Sequence, residues 1–309
     1  MTGKGGYTME EKVFKNSDVL SWVGYFADRM DTSPERIHMI NTCGKKKNVL
    51  PTIESHKRTM IFADGARKDL FYELWEAGYG ELDVWFGKGP GLNEDIKETK
   101  VQTVMNYEIT EPTVIFIIND KTREASRFGI KNEYFSRGTV HYVGHEIRAV
   151  IMSMLACDIQ DTICIVTGES IVIEAAIMAS EGTIIAVEPD SGSMAAMCDN
   201  VAKFGVHNVE IVADLNEETL APLPAPRLAF IVATKTIEED IKKLQKKNPD
   251  MQFIIYTLEL DMMADMKNIY KNCGLEITEM LQIQISKMNK DTTFSAQPAP
   301  WLIRGEKVR

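Results

Sequence analysis

The sequence predicts an α/β protein with an open, mostly parallel sheet in its second half and a smaller α/β domain in its first half. Two observations predict the sheet. From residue 162 onward, short apolar runs alternate with segments of helical spacing. The last two apolar runs, 275–286 and 294–304, follow each other without a helix, as expected for an antiparallel hairpin. A length of 309 residues favours two domains over one core.

The smaller domain is expected over residues 1–137. Strands and helices are predicted in alternation, with helices at 18–30 and 69–76 and strands at 36–41, 59–63, 82–86 and 113–118. The polar stretch 122–143 contains Gly129 and Gly138 and has no long hydrophobic period. We interpret this stretch as a linker.

The larger domain is expected over residues 138–309. It begins with a helix predicted at 146–156. The parallel strands are predicted at 162–166, 183–187, 209–212, 228–232 and 252–256. The helices between and after them are predicted at 171–178, 191–204, 237–247 and 261–271. Five β-α units that end in a β-hairpin form the layout of class I methyltransferases, which use S-adenosylmethionine (SAM).

The first β-α-β unit, residues 162–190, is the place where a ligand is expected. In open parallel sheets ligands lie beyond the carboxyl ends of the strands, where a turn and a helix N-terminus present backbone N–H groups. The turn 167–170 follows the first strand, and Glu188 follows the second. We place Glu169 on an exposed part of that turn.

Composition limits the kinds of partner. A net charge of -10 argues against a general nucleic-acid binder, because such affinity depends on Lys and Arg. No apolar run is long enough to cross a bilayer, and the N-terminus lacks the apolar core of a signal peptide, so a cytoplasmic protein is expected. The five cysteines lack ligand spacing, so we predict free thiols and no metal site.

Short motifs in the second half occur in the order of a known family. The main ones are EIRAV (146–150), IEAA (173–176) and AVEPD (186–190). Further matches are NV (200–201), FGV (204–206), NVE (208–210), LPAP (223–226), TLE (257–259) and AQ (296–297). Together they resemble the decarboxylating, C15-methylating domain of the precorrin-6Y C5,15-methyltransferase family of cobalamin biosynthesis.

The first half also contains matches to that family. The sequences HMIN (38–41), NVLPTI (48–53) and EAGYGEL (76–82) look like the C-terminal part of its C5-methylating domain. The resemblance therefore implies a partial tetrapyrrole-methylase domain before the C15-methylating domain. We expect the partial domain to be structural or oligomerising and unable to methylate alone.

The resemblance implies SAM as cofactor, a tetrapyrrole (precorrin) as acceptor and a homo-oligomer, such as the tetramer that related enzymes form through the terminal hairpin. The cofactor residues that it implies are Gly168, Glu169, Ser170, Glu188, Pro189, Asp214, Leu215 and Ala233. The implied acceptor residues are Arg148, Thr234, Lys235, Thr257 and Glu259. No catalytic residue is assigned, because methyl transfer depends mainly on holding donor and acceptor in line.

Some of these residues have more than one interpretation. Glu188 is expected to bind the ribose hydroxyls, although an acid before a helix is also favoured by the helix dipole, and Asp190 could serve the same purpose. Asp214 lies where the family has an acid near the adenine, but it also suits a turn. Arg148 and Lys235 are expected to pair with carboxylates of the acceptor.

The glycine-rich loop of the family is altered in this chain. When the motifs are matched backward from residues 173–174, the family's loop glycines fall on Ile165, Thr167 and Glu169, and Gly168 is one position out of phase. Glycines there let the backbone approach a ligand closely. Two alternatives therefore accompany the enzyme interpretation: a non-catalytic homologue that has lost SAM binding and acts as a scaffold or tetrapyrrole-binding partner, and a methyltransferase with another acceptor.

Overall fold

A computed structural model describes residues 13–44, 47–93, 95–122, 129–138 and 143–307 of the chain. The chain divides into two compact units, Met1–Arg123 and Glu124–Arg309. The division falls before the expected boundary at 137/138.

The first unit contains a five-stranded sheet with helices beside it. Its helices are α1 (Asn16–Arg29), α2 (Val49–Ser55) and α3 (Leu70–Leu74). Its strands are β1 (His38–Asn41), β2 (Arg58–Ala63), β3 (Asp83–Lys88), β4 (Ile96–Lys100) and β5 (Thr113–Ile118). They lie in the order β1-β2-β5-β3-β4, with β1 and β2 parallel and the other pairs antiparallel.

Both faces of this sheet are covered. Met60 and Phe62 of β2 belong to one apolar cluster and Ile61 and Ala63 to another, as the alternation of side chains along a strand requires. Burial on both faces explains the nearly continuous apolar sequence of β2 and β5, from which these strands were predicted. Strand β4 was missed because its sequence, IKETK, is polar and it pairs only at the sheet edge.

The second unit alternates strands and helices and ends in antiparallel strands. Its helices are α4 (His145–Leu155), α5 (Glu169–Met178), α6 (Ser191–Phe204), α7 (Glu217–Leu220), α8 (Ile237–Lys247) and α9 (Leu260–Asn272). Its strands are β6 (Thr162–Val166), β7 (Thr183–Val187), β8 (Val209–Val212), β9 (Leu228–Val232), β10 (Gln252–Thr257), β11 (Leu275–Gln282), β12 (Ser286–Met288), β13 (Phe294–Ala296) and β14 (Trp301–Lys307).

Seven of these strands form one sheet in the order β11-β14-β10-β9-β6-β7-β8. Strands β6 to β10 are parallel, and β14 is antiparallel between β10 and β11. The predicted fold class is therefore confirmed. The two long terminal strands are each divided, and β12 and β13 pair separately as a short hairpin. Pro298 and Pro300 lie between β13 and β14, where residues without a backbone N–H interrupt the ladder.

The chain order creates a switch point in this sheet. From β6 the chain proceeds outward to β7 and β8, and it then returns to add β9 and β10 on the other side of β6. Loops after β6 and β9 thus diverge, which leaves a crevice at the carboxyl edge. Side chains of β6 alternate between two cores: Ile163 and Ile165 pack on one face, and Cys164 and Val166 on the other.

All five cysteines are free thiols, as predicted. Burial raises the pKa of the Cys164 thiol, in the middle of β6, to about 12. Among the described residues, no helix combines the length and the apolar character that crossing a membrane requires.

Candidate functional site

A segment over residues 129–138, which we call the strap, is bound to the helices of the second unit. Glu174 of α5 accepts hydrogen bonds from the backbone N–H groups of Gly129, at 2.9 Å, and Ile130, at 2.8 Å. Asn200 of α6 accepts from the N–H of Ser136 at 2.7 Å and donates to its carbonyl at 3.0 Å. The described part of the expected linker is therefore ordered structure within the second unit.

Arg148 of α4 completes the attachment of the strap. Its Nε donates to Glu174 Oε1 at 2.6 Å, and both side chains are fully buried. Its terminal nitrogens donate to the carbonyls of Val143 and Ile130 and to the hydroxyl of Ser170. The acceptor-binding role predicted for Arg148 is wrong, because its guanidinium is enclosed and already bonded within the protein. Arg148 and Glu174 lie in the sequence motifs EIRAV and IEAA, but the sequence does not show that the two side chains contact each other.

The turn after β6 is tight and packed from beneath. Thr167 has a left-handed backbone with a φ of 56°, and its N–H donates to the Val187 carbonyl at 3.0 Å. A Cβ added to Gly168 would lie 3.0 Å from Ile165 Cγ2 and 3.5 Å from Phe230 Cε1. A side chain at position 168 would therefore be tightly packed against the protein's own core. The atoms that approach it are core side chains, so its lack of a Cβ does not by itself create room for a ligand.

Glu169, the first residue of α5, is buried with only 6% of its surface exposed. Our placement of Glu169 on an exposed turn is therefore wrong, because the strap covers it. Oε1 accepts a long hydrogen bond of 3.3 Å from the N–H of Gly138, and Oε2 has no hydrogen-bond partner among the described residues. A Cβ on Gly138 would lie 2.8 Å from this Oε2 and 2.6 Å from Ser193 Cα. The sequence predicted Glu169 as a site residue but did not indicate that the strap buries it.

Glu188 lies at the carboxyl end of β7 and is also buried, with 2% exposed. Its Oε1 accepts from the N–H of Asp190 at 3.0 Å. Asp190 is the residue that caps α6, since its Oδ1 accepts from the N–H of Ser193 at 2.7 Å. The alternative role of Glu188 as the helix cap therefore belongs to Asp190. Glu188 keeps the strand-end position at which the family's acid is expected.

The pKa values of the two buried carboxyl groups are both raised by their surroundings. Burial raises the pKa of Glu169 above its ordinary value, the hydrogen bond from Gly138 opposes this rise, and the charge of Glu188 adds to it. Burial likewise raises the pKa of Glu188, against a hydrogen bond from Asp190. Both shifts have desolvation as their main cause, since a charged carboxylate is poorly stabilised away from water.

The other predicted cofactor residues lie near the same edge of the sheet. Asp214 is exposed after β8, and its Oδ1 accepts from the N–H of Asn216 and the hydroxyl of Thr219, both at 3.1 Å, as a turn residue does. Leu215 is buried in the core, and Pro189 is exposed after β7. Ser170 is buried against Arg148, and the N–H of Ala233 donates to the Tyr256 carbonyl at 2.8 Å.

Four predicted acceptor residues lie at or just beyond the carboxyl ends of the adjacent strands β9 and β10. Thr234 and Lys235 are exposed after β9, and the Thr234 hydroxyl bonds to that of Thr236 at 2.9 Å. Thr257 is buried, and its hydroxyl accepts from the N–H of Glu259 at 3.0 Å. Since β9 and β10 are parallel neighbours, these residues share one edge with Glu188, whereas Arg148 is enclosed beneath the strap.

The strand order, the switch point and the buried acid after β7 define a protein of the class I methyltransferase type. A family model described as a precorrin methyltransferase domain matches residues 137–300, which is more than half of the chain. The chain therefore belongs to the precorrin methyltransferase domain family, the SAM-dependent methyltransferases of cobalamin biosynthesis. This confirms the resemblance found in the sequence.

Two solved structures resemble this chain in fold. One is a precorrin-6Y C5,15-methyltransferase from Geobacter metallireducens GS-15, with 23% identity, a TM-score of 0.55 and coverage of 60% of this chain and 100% of that one. The other is the C-terminal domain of precorrin-6Y C5,15-methyltransferase from Rhodobacter capsulatus, with 17% identity, a TM-score of 0.50 and the same coverages. A search of curated protein sequences found no match.

SAM is the cofactor of this family, and the residues present fit it unequally. Glu188 fits the nucleoside half, because a carboxylate at a strand end can accept hydrogen bonds from both ribose hydroxyls. The turn 165–169 fits the methionine half poorly. Ile165 and Thr167 carry side chains at glycine positions, and Glu169 adds a buried carboxyl group where a glycine would leave space.

Replacing Arg148 with methionine should lower the free energy of unfolding of the second unit by about 3–5 kcal/mol, because Glu174 would keep a buried charge without its cation. Urea denaturation followed by circular dichroism measures this. The double variant R148M/E174Q should lose less than the sum of the two single variants, with a coupling of about 0.5–3 kcal/mol. Additive losses would contradict the pairing. K246A, which removes an exposed ion pair with Glu217, serves as the control and should leave the midpoint unchanged.

Replacing Glu169 with glutamine should stabilise the protein near neutral pH. Because its pKa is raised from 4.5 in the folded state, native Glu169 retains a proton that the unfolded chain releases, so its contribution to stability falls as pH rises above 4.5. E169Q removes that loss. The urea midpoint of E169Q should exceed that of the unaltered protein near neutral pH, and this difference should shrink as pH falls to 4.5. E239Q, a variant of an exposed glutamate, is the control and should show no such difference. An advantage that is constant with pH would contradict the shift.

Proposed function

We propose that this chain methylates a precorrin at C15, with decarboxylation of the acceptor. The observation that carries the proposal is Glu188, a buried carboxylate at the end of β7 that Asp190 releases from helix capping, in a chain of the precorrin methyltransferase family. The Geobacter protein of similar fold is a precorrin-6Y C5,15-methyltransferase, which supports the choice of chemistry. When bound, SAM supplies an activated methyl group.

The chain's own residues then have binding and positioning roles. Glu188 would hold the ribose, and the loops after β8 and β9, with Asp214, Leu215 and Ala233, would enclose the adenine. Lys235 is exposed beside Thr234, and a precorrin carries several carboxylates, so an ion pair with Lys235 would orient the acceptor. Thr257 and Glu259, which bond to each other after β10, would form the opposite side of the acceptor site.

The direct test is an assay with SAM and a precorrin acceptor, followed by mass spectrometry of the tetrapyrrole. The expected product has gained one methyl group and lost one carbon dioxide. Methyl gain without decarboxylation would favour a methyltransferase with another acceptor or outcome. No product, with a folded protein, would favour the non-catalytic homologue that binds a tetrapyrrole. The observation that supports this second candidate function is that Thr167 and Glu169 carry side chains at positions where the family has glycines.

Replacing Lys235 with alanine should raise the KM for the precorrin about fivefold, as expected for a solvent-exposed ion pair of about 1 kcal/mol. The kcat should change little, since Lys235 is proposed to bind the acceptor and not to react. K267A, which removes an exposed lysine on α9, is the matched control. Equal effects of the two variants on KM would show that net charge matters and that Lys235 has no specific role.

A homo-oligomer is also proposed, assembled through the terminal hairpin. Met288 of β12 and Phe294 of β13 are paired across the hairpin and are 63% and 71% exposed, which is unusual for large apolar side chains. Light scattering should give the mass of an oligomer, and the double variant M288S/F294S should reduce it. A monomeric mass for the unaltered protein would contradict this.

The partial tetrapyrrole-methylase nature of the first unit and a cytoplasmic location stay predictions.

A further inference from the structure

The N-terminus of α5 already carries an acidic group that belongs to the protein, the carboxyl group of Glu169. This helix end adjoins the switch point of the sheet, where ligands of such folds lie, and helix N-termini attract anions. Glu169 is the first residue of the helix, and only 6% of its surface is exposed. The carboxyl group of Glu169 is therefore buried beside the helix end that would otherwise favour an anionic part of a ligand.

The described part of the strap packs closely against the Glu169 carboxyl group. Oε2 of Glu169 has no hydrogen-bond partner among the described residues, and the strap passes so close that a single Cβ on Gly138 would come within 2.8 Å of it. Oε1 already uses the N–H of Gly138. The donor that a ligand's carboxylate would need at this place is thus taken by the protein.

Charge acts in the same direction as space. Glu188, the residue assigned to the ribose, is a second buried carboxyl group close enough to Glu169 to raise its pKa. Away from water, like charges repel strongly, because the surrounding dielectric screens them little. A ligand tail that carries a carboxylate would add a negative charge beside these two buried carboxyl groups, whereas an amine or sulfonium would be favoured there.

We propose that Glu169 takes the place of the ligand's carboxylate, so that the site prefers an adenosyl compound whose tail is cationic and lacks a carboxylate over SAM itself. This inference rests on the proposed function, since it assumes that Glu188 and the neighbouring loops hold an adenosyl group. It makes Glu169 a residue that determines specificity. SAM would then bind only by displacing the carboxyl group of Glu169 from beneath the strap.

Isothermal titration calorimetry of the full chain tests this with two probes, SAM and decarboxylated SAM, which differ by the one carboxylate. The unaltered protein should bind decarboxylated SAM at least about tenfold more tightly. E169Q, which keeps the shape of the side chain, should reduce the preference, and E169G, which restores the space, should abolish it. E239Q is the control and should keep the preference of the unaltered protein.

The possible failures are distinguishable. If the unaltered protein binds SAM as tightly as decarboxylated SAM, or if E169Q and E169G keep the full preference, the inference about Glu169 is overturned and the proposed function stands. If neither probe binds the unaltered protein or either variant, while circular dichroism shows all three to be folded, the adenosyl site is absent. That result overturns the proposed function and the inference with it.

Discussion

The buried ion pair between Arg148 and Glu174 is the interaction on which the candidate site depends. A fully buried pair is costly to desolvate, and it is stable only when further hydrogen bonds satisfy both groups. Here the backbone of the strap supplies them: Glu174 accepts from Gly129 and Ile130, and Arg148 donates to the Ile130 carbonyl. The pair therefore fixes the strap at one end, and Asn200 fixes it near the other.

A fixed strap determines the environment of the carboxyl edge. It brings Gly138 against Glu169 and Ser193, and it removes the Glu169 carboxyl group from water. The same residue at the first turn of an uncovered helix would be an ordinary dipole-stabilised surface acid. Covered by the strap, it is a buried acid with a raised pKa, and we propose that it determines which ligand tail the crevice accepts. The family motifs thus preserve the scaffold of a cofactor site, while the turn residues alter its chemistry.

The acceptor side depends on a different constraint. Residues at the carboxyl ends of β9 and β10 are brought together because these strands are parallel neighbours. Thr234, Lys235, Thr257 and Glu259 therefore share one edge of the sheet. Arg148 was predicted for the same site, yet its guanidinium is fully buried and donates its hydrogen bonds within the protein. Arg148 and Lys235 are both cationic, but only Lys235 is exposed to solvent, so only Lys235 is accessible to an acceptor.

The sequence by itself determined the α/β class, the parallel strands β6 to β10, the antiparallel end and the acid after β7, because burial on both faces makes these strands continuous apolar runs with polar turns. It could not supply β4, whose edge sequence is polar, nor α7, which is a single short turn of helix. Only the tertiary structure decided the roles of Arg148 and Glu169. Burial and pairing arise between segments far apart in the chain, Arg148 with Glu174 and Glu169 with Gly138, and no local pattern encodes those distances.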